Sequence, residues 1–130
     1  MGTAMRSCPP LVESRTTLAE VARGMRERDI GSVLVVDGER LVGILTARDV
    51  LRAAAHGVAA GHAAVGRWMT ASPITVTAST TLDTAEALMT EYGIHHLPVV
   101  ENERPVGIVG LRDVTRSRRS PDRLSIGLGF

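Results

Sequence analysis

Two tetrapeptides at matching places in the chain combine a helix start with an acidic residue. The first, Thr46-Ala47-Arg48-Asp49, follows the apolar run Val42-Gly43-Ile44-Leu45. A threonine three residues before an acid has the spacing of a capping box, in which both side chains satisfy backbone N–H groups at the helix start. The same arrangement suits a ligand, because a helix N-terminus attracts phosphate and an ionised aspartate accepts hydrogen bonds from ribose hydroxyls. These four residues alone leave both interpretations open.

The second tetrapeptide is Gly110-Leu111-Arg112-Asp113, which keeps the acid but lacks the hydroxyl. Glycine is an acceptable N-cap, so the helix can still begin there. Arg48 and Arg112 lie beside the two acids, where each either contacts a phosphate or pairs with a neighbouring acid. The two tetrapeptides therefore predict similar helices with unequal binding chemistry.

A histidine pair, His95-His96, comes just before the apolar run that begins at Leu97. Adjacent residues on a strand point to opposite faces, which disfavours the binding of one metal by both. The other candidate ligands, His56, His62 and Cys8, have no ligand-like spacing to this pair. We predict no metal site, and the residues alone are typical of partly exposed loop histidines.

Both tetrapeptides belong to an internal repeat. A shift of 64 residues aligns 17–50 with 81–114 without a gap, and 15 of the 34 pairs are identical, whereas chance gives roughly 6–7%. Each copy of about 50 residues is too small to fold readily alone, so we expect the two copies to pack together.

Each copy predicts the element order β-α-β-β-α, and hence the α+β class. A β-prone stretch follows a proline, most clearly at 73–77. An amphipathic helix follows, beginning after Thr17 in the first copy and ending at Gly93 in the second. Two strands joined by a tight turn precede the final helix, with the turns at Asp37-Gly38 and at Asn102. The predicted strand pairs are 32–36 with 41–46 and 97–100 with 106–109.

Composition and charge limit the classes of function. The 130 residues include 15 Lys and Arg against 14 Asp and Glu, a net charge of +1, so no field of one sign would steer a nucleic acid or a membrane surface. The aromatic residues Trp68, Tyr92 and Phe130 provide few stacking platforms, and the lone Cys8 cannot form an internal disulfide. No apolar run reaches the roughly 18 residues of a membrane span, and the first residues do not resemble a signal peptide. We expect a soluble cytoplasmic protein.

Several segments together resemble a tandem pair of cystathionine-β-synthase (CBS) domains. They are the proline-led strand, the run Gly93-Ile94-His95-His96-Leu97-Pro98-Val99-Val100, the run Val106-Gly107-Ile108-Val109, and Arg112-Asp113-Val114. The resemblance covers about residues 5–118. It implies two repeats packed with pseudo-twofold symmetry and two clefts between them. Such pairs bind adenosyl ligands (AMP, ADP, ATP, NAD or S-adenosylmethionine) and regulate other proteins, with no enzymatic activity and no required cofactor.

The resemblance also implies one well-equipped cleft and one poor cleft. In the better cleft the threonine and aspartate of the first tetrapeptide contact ribose, the two histidines point at phosphate, and a proline-isoleucine pair packs against adenine. Its predicted ligand-binding residues are Thr46, Arg48, Asp49, Pro73, Ile74, His95 and His96. The opposite cleft combines Asp113 with Pro10, Gly31 and Ser32, and it lacks both the hydroxyl and the phosphate donors.

The predicted organisation is a first repeat at 5–55, a linker at 56–66, a second repeat at 67–118 and a tail at 119–130. Basic residues near the C-terminus (Arg116, Arg118, Arg119 and Arg123) form either a solvated face or a contact to a nucleic acid or another partner. We expect a homodimer that binds an adenosyl ligand and acts on an effector protein that the sequence does not identify. The leading hypothesis is a stand-alone regulatory module, and the alternative is a structural or interaction protein whose clefts bind no ligand.

Overall fold

The computed structural model describes residues 10–112 and residue 114. The chain divides into two compact units: the N-terminal unit is Pro10–Pro73, and the C-terminal unit begins at Ile74. Both contain a helix, then an antiparallel strand pair, then further helical residues, which confirms the α+β class and the repeated unit. Asp113 and the tail at 119–130 lie outside the described residues.

The N-terminal unit is built on a four-stranded sheet. Its strands are β1 (Leu11–Glu13), β2 (Ser32–Asp37), β3 (Arg40–Thr46) and β4 (Thr70–Ala71), in that order across the sheet. Strands β1 and β2 are parallel, and the other neighbouring pairs are antiparallel. Helix α1 (Leu18–Arg28) connects β1 to β2, and helix α2 (Ala47–Ala55) follows β3 without an intervening loop. The end of β3 is therefore also the start of α2.

Helix α1 begins after Thr17, as predicted, and it buries one apolar face. The hydroxyl oxygen of Thr17 accepts a hydrogen bond from the Glu20 N–H at 3.2 Å, which caps the first turn. Leu18, Val21 and Met25 are buried and pack into the core of the N-terminal unit. The apolar spacing thus sets which face of α1 covers the sheet.

The C-terminal unit repeats this arrangement. Its regular elements are α3 (Leu82–Tyr92), β5 (His96–Glu101) and β6 (Arg104–Gly110), and helical residues resume at Leu111. Helix α3 buries Leu82, Ala85 and Met89, which form a core with strand residues of the same unit. Strands β5 and β6 are antiparallel and are joined by a two-residue turn, as predicted.

The register of the strands follows the 64-residue repeat residue for residue. His96 lies opposite Gly110 in one ladder as Ser32 lies opposite Thr46 in the other. Both ladders also shift register at one matching place, after Val35 and after Val99. The repeat is therefore one of backbone pairing as well as of residue types.

The first strand differs between the two units. The predicted strand at 73–77 makes only an isolated parallel bridge, between Val76 and Val99. In the N-terminal unit the Leu34 N–H donates to the Pro10 carbonyl at 2.8 Å, whereas the residue that matches Leu34 is Pro98, which has no N–H to donate. A missing donor in the ladder explains why the prediction of a full strand is wrong.

The alanine- and glycine-rich segment 56–66 packs against the start of α1. The carbonyls of Ala60 and Ala63 accept hydrogen bonds from the N–H groups of Ala19 and Leu18, at 3.0 and 2.9 Å. N–H groups in the first turn of a helix have no partner within the helix, so the segment satisfies two of them. The boundaries assigned to this segment and to the two repeats stay predictions.

Candidate functional site

The junction of β3 and α2 holds the first predicted tetrapeptide in a complete capping box. The carboxylate oxygen Oδ2 of Asp49 accepts hydrogen bonds from the Thr46 N–H at 3.0 Å and from the Thr46 hydroxyl at 3.2 Å. In return the Asp49 N–H donates to the Thr46 hydroxyl oxygen at 3.3 Å. The structural interpretation of the tetrapeptide is thus confirmed, and the two side chains hold each other in place.

The second carboxylate oxygen of Asp49 has a different neighbour. Arg52, one helical turn further along α2, donates from Nη2 to Asp49 Oδ1 at 3.4 Å. The Asp49 side chain is 11% exposed and the Arg52 side chain is 50% exposed. One oxygen therefore holds the helix start, while the other has a single long contact among the described residues and keeps the capacity to accept a further hydrogen bond.

Backbone N–H groups at the start of α2 are less available than the sequence predicted. The Ala47 N–H donates to the Gly31 carbonyl at 2.9 Å, and the Asp49 N–H is used in the capping box. The C-terminal unit repeats the first of these bonds, from the Leu111 N–H to the His95 carbonyl at 2.8 Å. An anion at the start of α2 would therefore depend more on side chains than on the helix terminus.

The two histidines occupy different environments in the C-terminal unit. His95 is exposed and lies just before β5, whereas His96 is the first residue of that strand and is half-buried. Within residues 10–112 and 114, no three His, Cys, Asp or Glu side chains lie close enough together to hold a metal ion. Across the same residues, no helix combines the length and apolar character needed to cross a membrane.

The predicted site residues fall into both units. Thr46, Arg48 and Asp49 lie together at the start of α2, and Arg48 is exposed. Pro73 ends the N-terminal unit, whereas Ile74, His95 and His96 belong to the C-terminal unit. Both Pro73 and Ile74 are half-buried. Their assembly into one cleft stays a prediction.

Three residues beside Asp49 were not predicted as part of the site. Besides its contact with Asp49, Arg52 donates to the Trp68 carbonyl at 3.0 Å, and its guanidinium carbon lies 5.2 Å from the centroid of the Trp68 ring. The His56 ring lies 5.6 Å from the same ring, and His56 Nδ1 is 2.9 Å from the Arg52 carbonyl oxygen. The i,i+3 spacing of Asp49 and Arg52 was the available signal in the sequence, but the contacts with Trp68 had none.

A cavity of about 200 Å³ lies elsewhere in the N-terminal unit, between α1 and the first strands. Its lining is mostly apolar and includes Pro10, Val21 and Met25, with Glu20 and Arg28 also in the lining. Of the described residues that were predicted for either cleft, only Pro10 borders it. This cavity is therefore separate from the Thr46–Asp49 junction.

Comparison with known proteins supplies the family. A family model described as the CBS domain matches the chain twice, at residues 1–56 and 65–120. A relative from Acidianus ambivalens, described as an uncharacterized 17.7 kDa protein, is 36% identical over 109 residues, which are 82% of this chain. The chain spans 65% of the length of that relative.

Two solved structures share the fold. A CBS domain pair in complex with 5′-methylthioadenosine and S-adenosyl-L-methionine matches with a TM-score of 0.80 and 29% identity, over 87% of this chain and 93% of that chain. A CBS domain protein from Pyrobaculum aerophilum complexed with AMP matches with a TM-score of 0.77 and 26% identity, over 83% of this chain and 84% of that chain. On the twofold match of the family model and these similarities, the chain belongs to the CBS domain family.

Proposed function

We propose that this chain is a regulatory module that binds an adenosyl ligand, with AMP as the first candidate. The observation that carries the proposal is the Asp49 carboxylate: Thr46 holds one of its oxygens, and among the described residues the other oxygen has only a 3.4 Å contact. A fixed carboxylate of this kind suits the hydroxyls of a ribose, because it accepts hydrogen bonds without first having to be ordered.

The ligands of related structures support the adenosyl class. The structures named above contain AMP, 5′-methylthioadenosine or S-adenosyl-L-methionine, and adenosine is the part that these molecules share. We propose that Asp49 and Thr46 contact the ribose and that Pro73 and Ile74 contact the adenine. The phosphate, where the ligand has one, would contact the side chains of Arg48, His95 and His96.

We further propose that the two repeats bind unequally. In the second repeat Gly110 replaces the capping threonine, and in the first repeat Gly31 and Ser32 stand where the second has the two histidines. A hydrogen bond to a charged group contributes about 1.5–3 kcal/mol. The poorer site, with Asp113 as its acid, would then bind more weakly by roughly tenfold to more than a hundredfold.

Titration calorimetry on the full chain tests this proposal with Asp49→Asn and its repeat-matched control, Asp113→Asn. The panel comprises AMP, ADP, ATP, NAD, 5′-methylthioadenosine and S-adenosylmethionine. We expect at least one of these ligands to bind at one strong site per chain. Asp49→Asn should lower the affinity for that ligand by about tenfold or more, and Asp113→Asn should change it little. Two equal sites, or a larger loss from Asp113→Asn, would contradict the assignment.

The alternative function is a structural or interaction protein whose clefts bind no ligand. Thermal unfolding separates the two, because a ligand that binds only the folded state at a hundred times its Kd adds about 2.7 kcal/mol of stability. An unchanged melting temperature across the whole panel would favour the alternative. We also propose a homodimer that acts on an effector protein, and sedimentation that shows only monomer at tens of micromolar would refute the dimer.

A further inference from the structure

Arg52 contacts two parts of the N-terminal unit that are distant in sequence. Its Nη2 atom donates to Asp49 Oδ1 at 3.4 Å on its own helix and to the Trp68 carbonyl at 3.0 Å, 16 residues away. Its guanidinium carbon lies 5.2 Å from the centroid of the Trp68 ring, within the range of a cation–π contact. One planar group therefore bridges the helix that carries the carboxylate and the segment that carries the indole.

The Trp68 segment leads directly to the residues proposed for adenine. Trp68 is followed by β4, in which Thr70 and Ala71 pair with Ile44 and Gly43 of β3. Pro73 comes two residues after the end of β4. A displacement of Trp68 would therefore act next on β4, which pairs with β3 through only two residue pairs.

We propose that Arg52 is a positioning residue of the ligand site. Through Arg52, the hydrogen bonding of the Asp49 carboxylate affects the position of Trp68 and of the segment before Pro73. This inference rests on the proposed function, in which Asp49 contacts the ligand ribose. A ribose hydroxyl that donates to Asp49 Oδ1 competes with the long bond from Arg52. Arg52 then keeps its shorter bond to the Trp68 carbonyl and moves relative to the indole ring.

Arginine suits this role better than lysine. A guanidinium is planar and offers several N–H donors in fixed directions, so it can stack on an indole and donate to two acceptors at once. A lysine ammonium keeps the charge without the plane. Arg52→Lys should therefore keep a positive charge near the Asp49 carboxylate but weaken the contacts with the Trp68 carbonyl and ring.

The first experiment measures the coupling without any ligand. Trp68 is the only tryptophan of the chain, so emission excited at a wavelength that tyrosine does not absorb reports on this residue alone. We expect Asp49→Asn to change this emission when Arg52 is present, and to leave it unchanged in the Arg52→Met background. Independent, additive changes in the double variant would overturn the inference.

The second experiment adds AMP to the wild type, Arg52→Met, Arg52→Lys and the control Arg23→Met, which alters an exposed arginine on α1. By calorimetry we expect Arg52→Met to weaken AMP binding about fourfold to tenfold, because the segment before Pro73 loses its hydrogen bond from Arg52 and must then be ordered when AMP binds. The affinity of Arg52→Lys for AMP should lie between those of the wild type and Arg52→Met, whereas the affinity of Arg23→Met should match that of the wild type. AMP should change Trp68 emission in all but Arg52→Met.

The outcomes separate the two proposals. Absence of AMP binding to the wild type contradicts AMP as the ligand of the proposed function, while the ligand-free experiment still decides the coupling. Binding of AMP with wild-type affinity by Arg52→Met, or an equal emission change at saturation, overturns the role of Arg52. A loss of thermal stability alone, without either of the expected changes, assigns Arg52 to folding and also overturns it.

Discussion

The ends of α1 and α3 form a natural matched pair for testing how this chain stops its helices. The residue after α1 is Asp29, with φ 54° and ψ 50°, and the residue after α3 is Gly93, with φ 63° and ψ 37°. In both units the next N–H reaches back to a methionine carbonyl, from Ile30 to Met25 at 2.9 Å and from Ile94 to Met89 at 3.0 Å. The geometry is the same, but only one position has the residue that prefers it.

Replacement of Asp29 by glycine should therefore stabilise the protein. Relief of the left-handed conformation contributes about 1 kcal/mol, and removal of a negative charge from a helix C-terminus contributes about 0.3–1 kcal/mol. We expect a gain of about 1–2 kcal/mol in the free energy of unfolding, and an equal loss from Gly93→Asp. For a chain of this length each kcal/mol corresponds to roughly 3–6 °C in melting temperature.

Urea denaturation of Asp29→Gly, Asp29→Asn and Gly93→Asp measures these changes. Asp29→Asn removes the charge and keeps the β-carbon, so it should give only the smaller, electrostatic part of the gain. The reasoning is refuted if Asp29→Gly is no more stable than the wild type. A gain from Asp29→Asn as large as that from Asp29→Gly would show that charge, not backbone conformation, limits stability at this position.

Two further perturbations test the packing and the site. A β-carbon at Gly43 would lie 2.9 Å from the Thr70 carbonyl oxygen and would overlap Met69 Sδ, whereas nothing lies within 4 Å of a β-carbon at Gly24. Thermal melts should therefore show that Gly43→Ala lowers the free energy of unfolding by about 1–3 kcal/mol. Gly24→Ala should raise it by up to about 1 kcal/mol, because alanine is the better helix former. If His95 contacts phosphate, His95→Gln should weaken the binding of AMP and leave that of 5′-methylthioadenosine, which has no phosphate, nearly unchanged. Calorimetry with both ligands measures this, and an equal loss of affinity for both would argue against the contact.

Much of the fold was predictable because its signals are local. The hydroxyl of Thr17, the apolar spacing along α1 and the turn residue Asn102 each act on neighbours a few residues away. Comparison of the two copies strengthened every such signal, since each appears twice at an offset of 64 residues. The asymmetry between Thr46 and Gly110 was visible for the same reason, because the repeat shows which hydroxyl is missing.

The tertiary structure decided the features that depend on which distant groups meet. Val76 makes a bridge and not a full strand because the proline opposite the strand start, Pro98, has no N–H, and only the register reveals that opposition. The helix start at α2 was predicted to suit a phosphate, but the Ala47 N–H already donates to the Gly31 carbonyl.

The same distinction applies to the candidate site. Sequence alone showed that Thr46 and Asp49 have the spacing to cap a helix and pair with each other, because three residues along one helix turn bring such side chains together; the structure then confirmed the pairing. The sequence could not determine that Arg52 also meets Trp68, since that contact joins residues 16 positions apart through the packing of a whole segment. Short-range spacing specifies which groups can interact within a turn, whereas the path of the intervening chain decides which distant groups do.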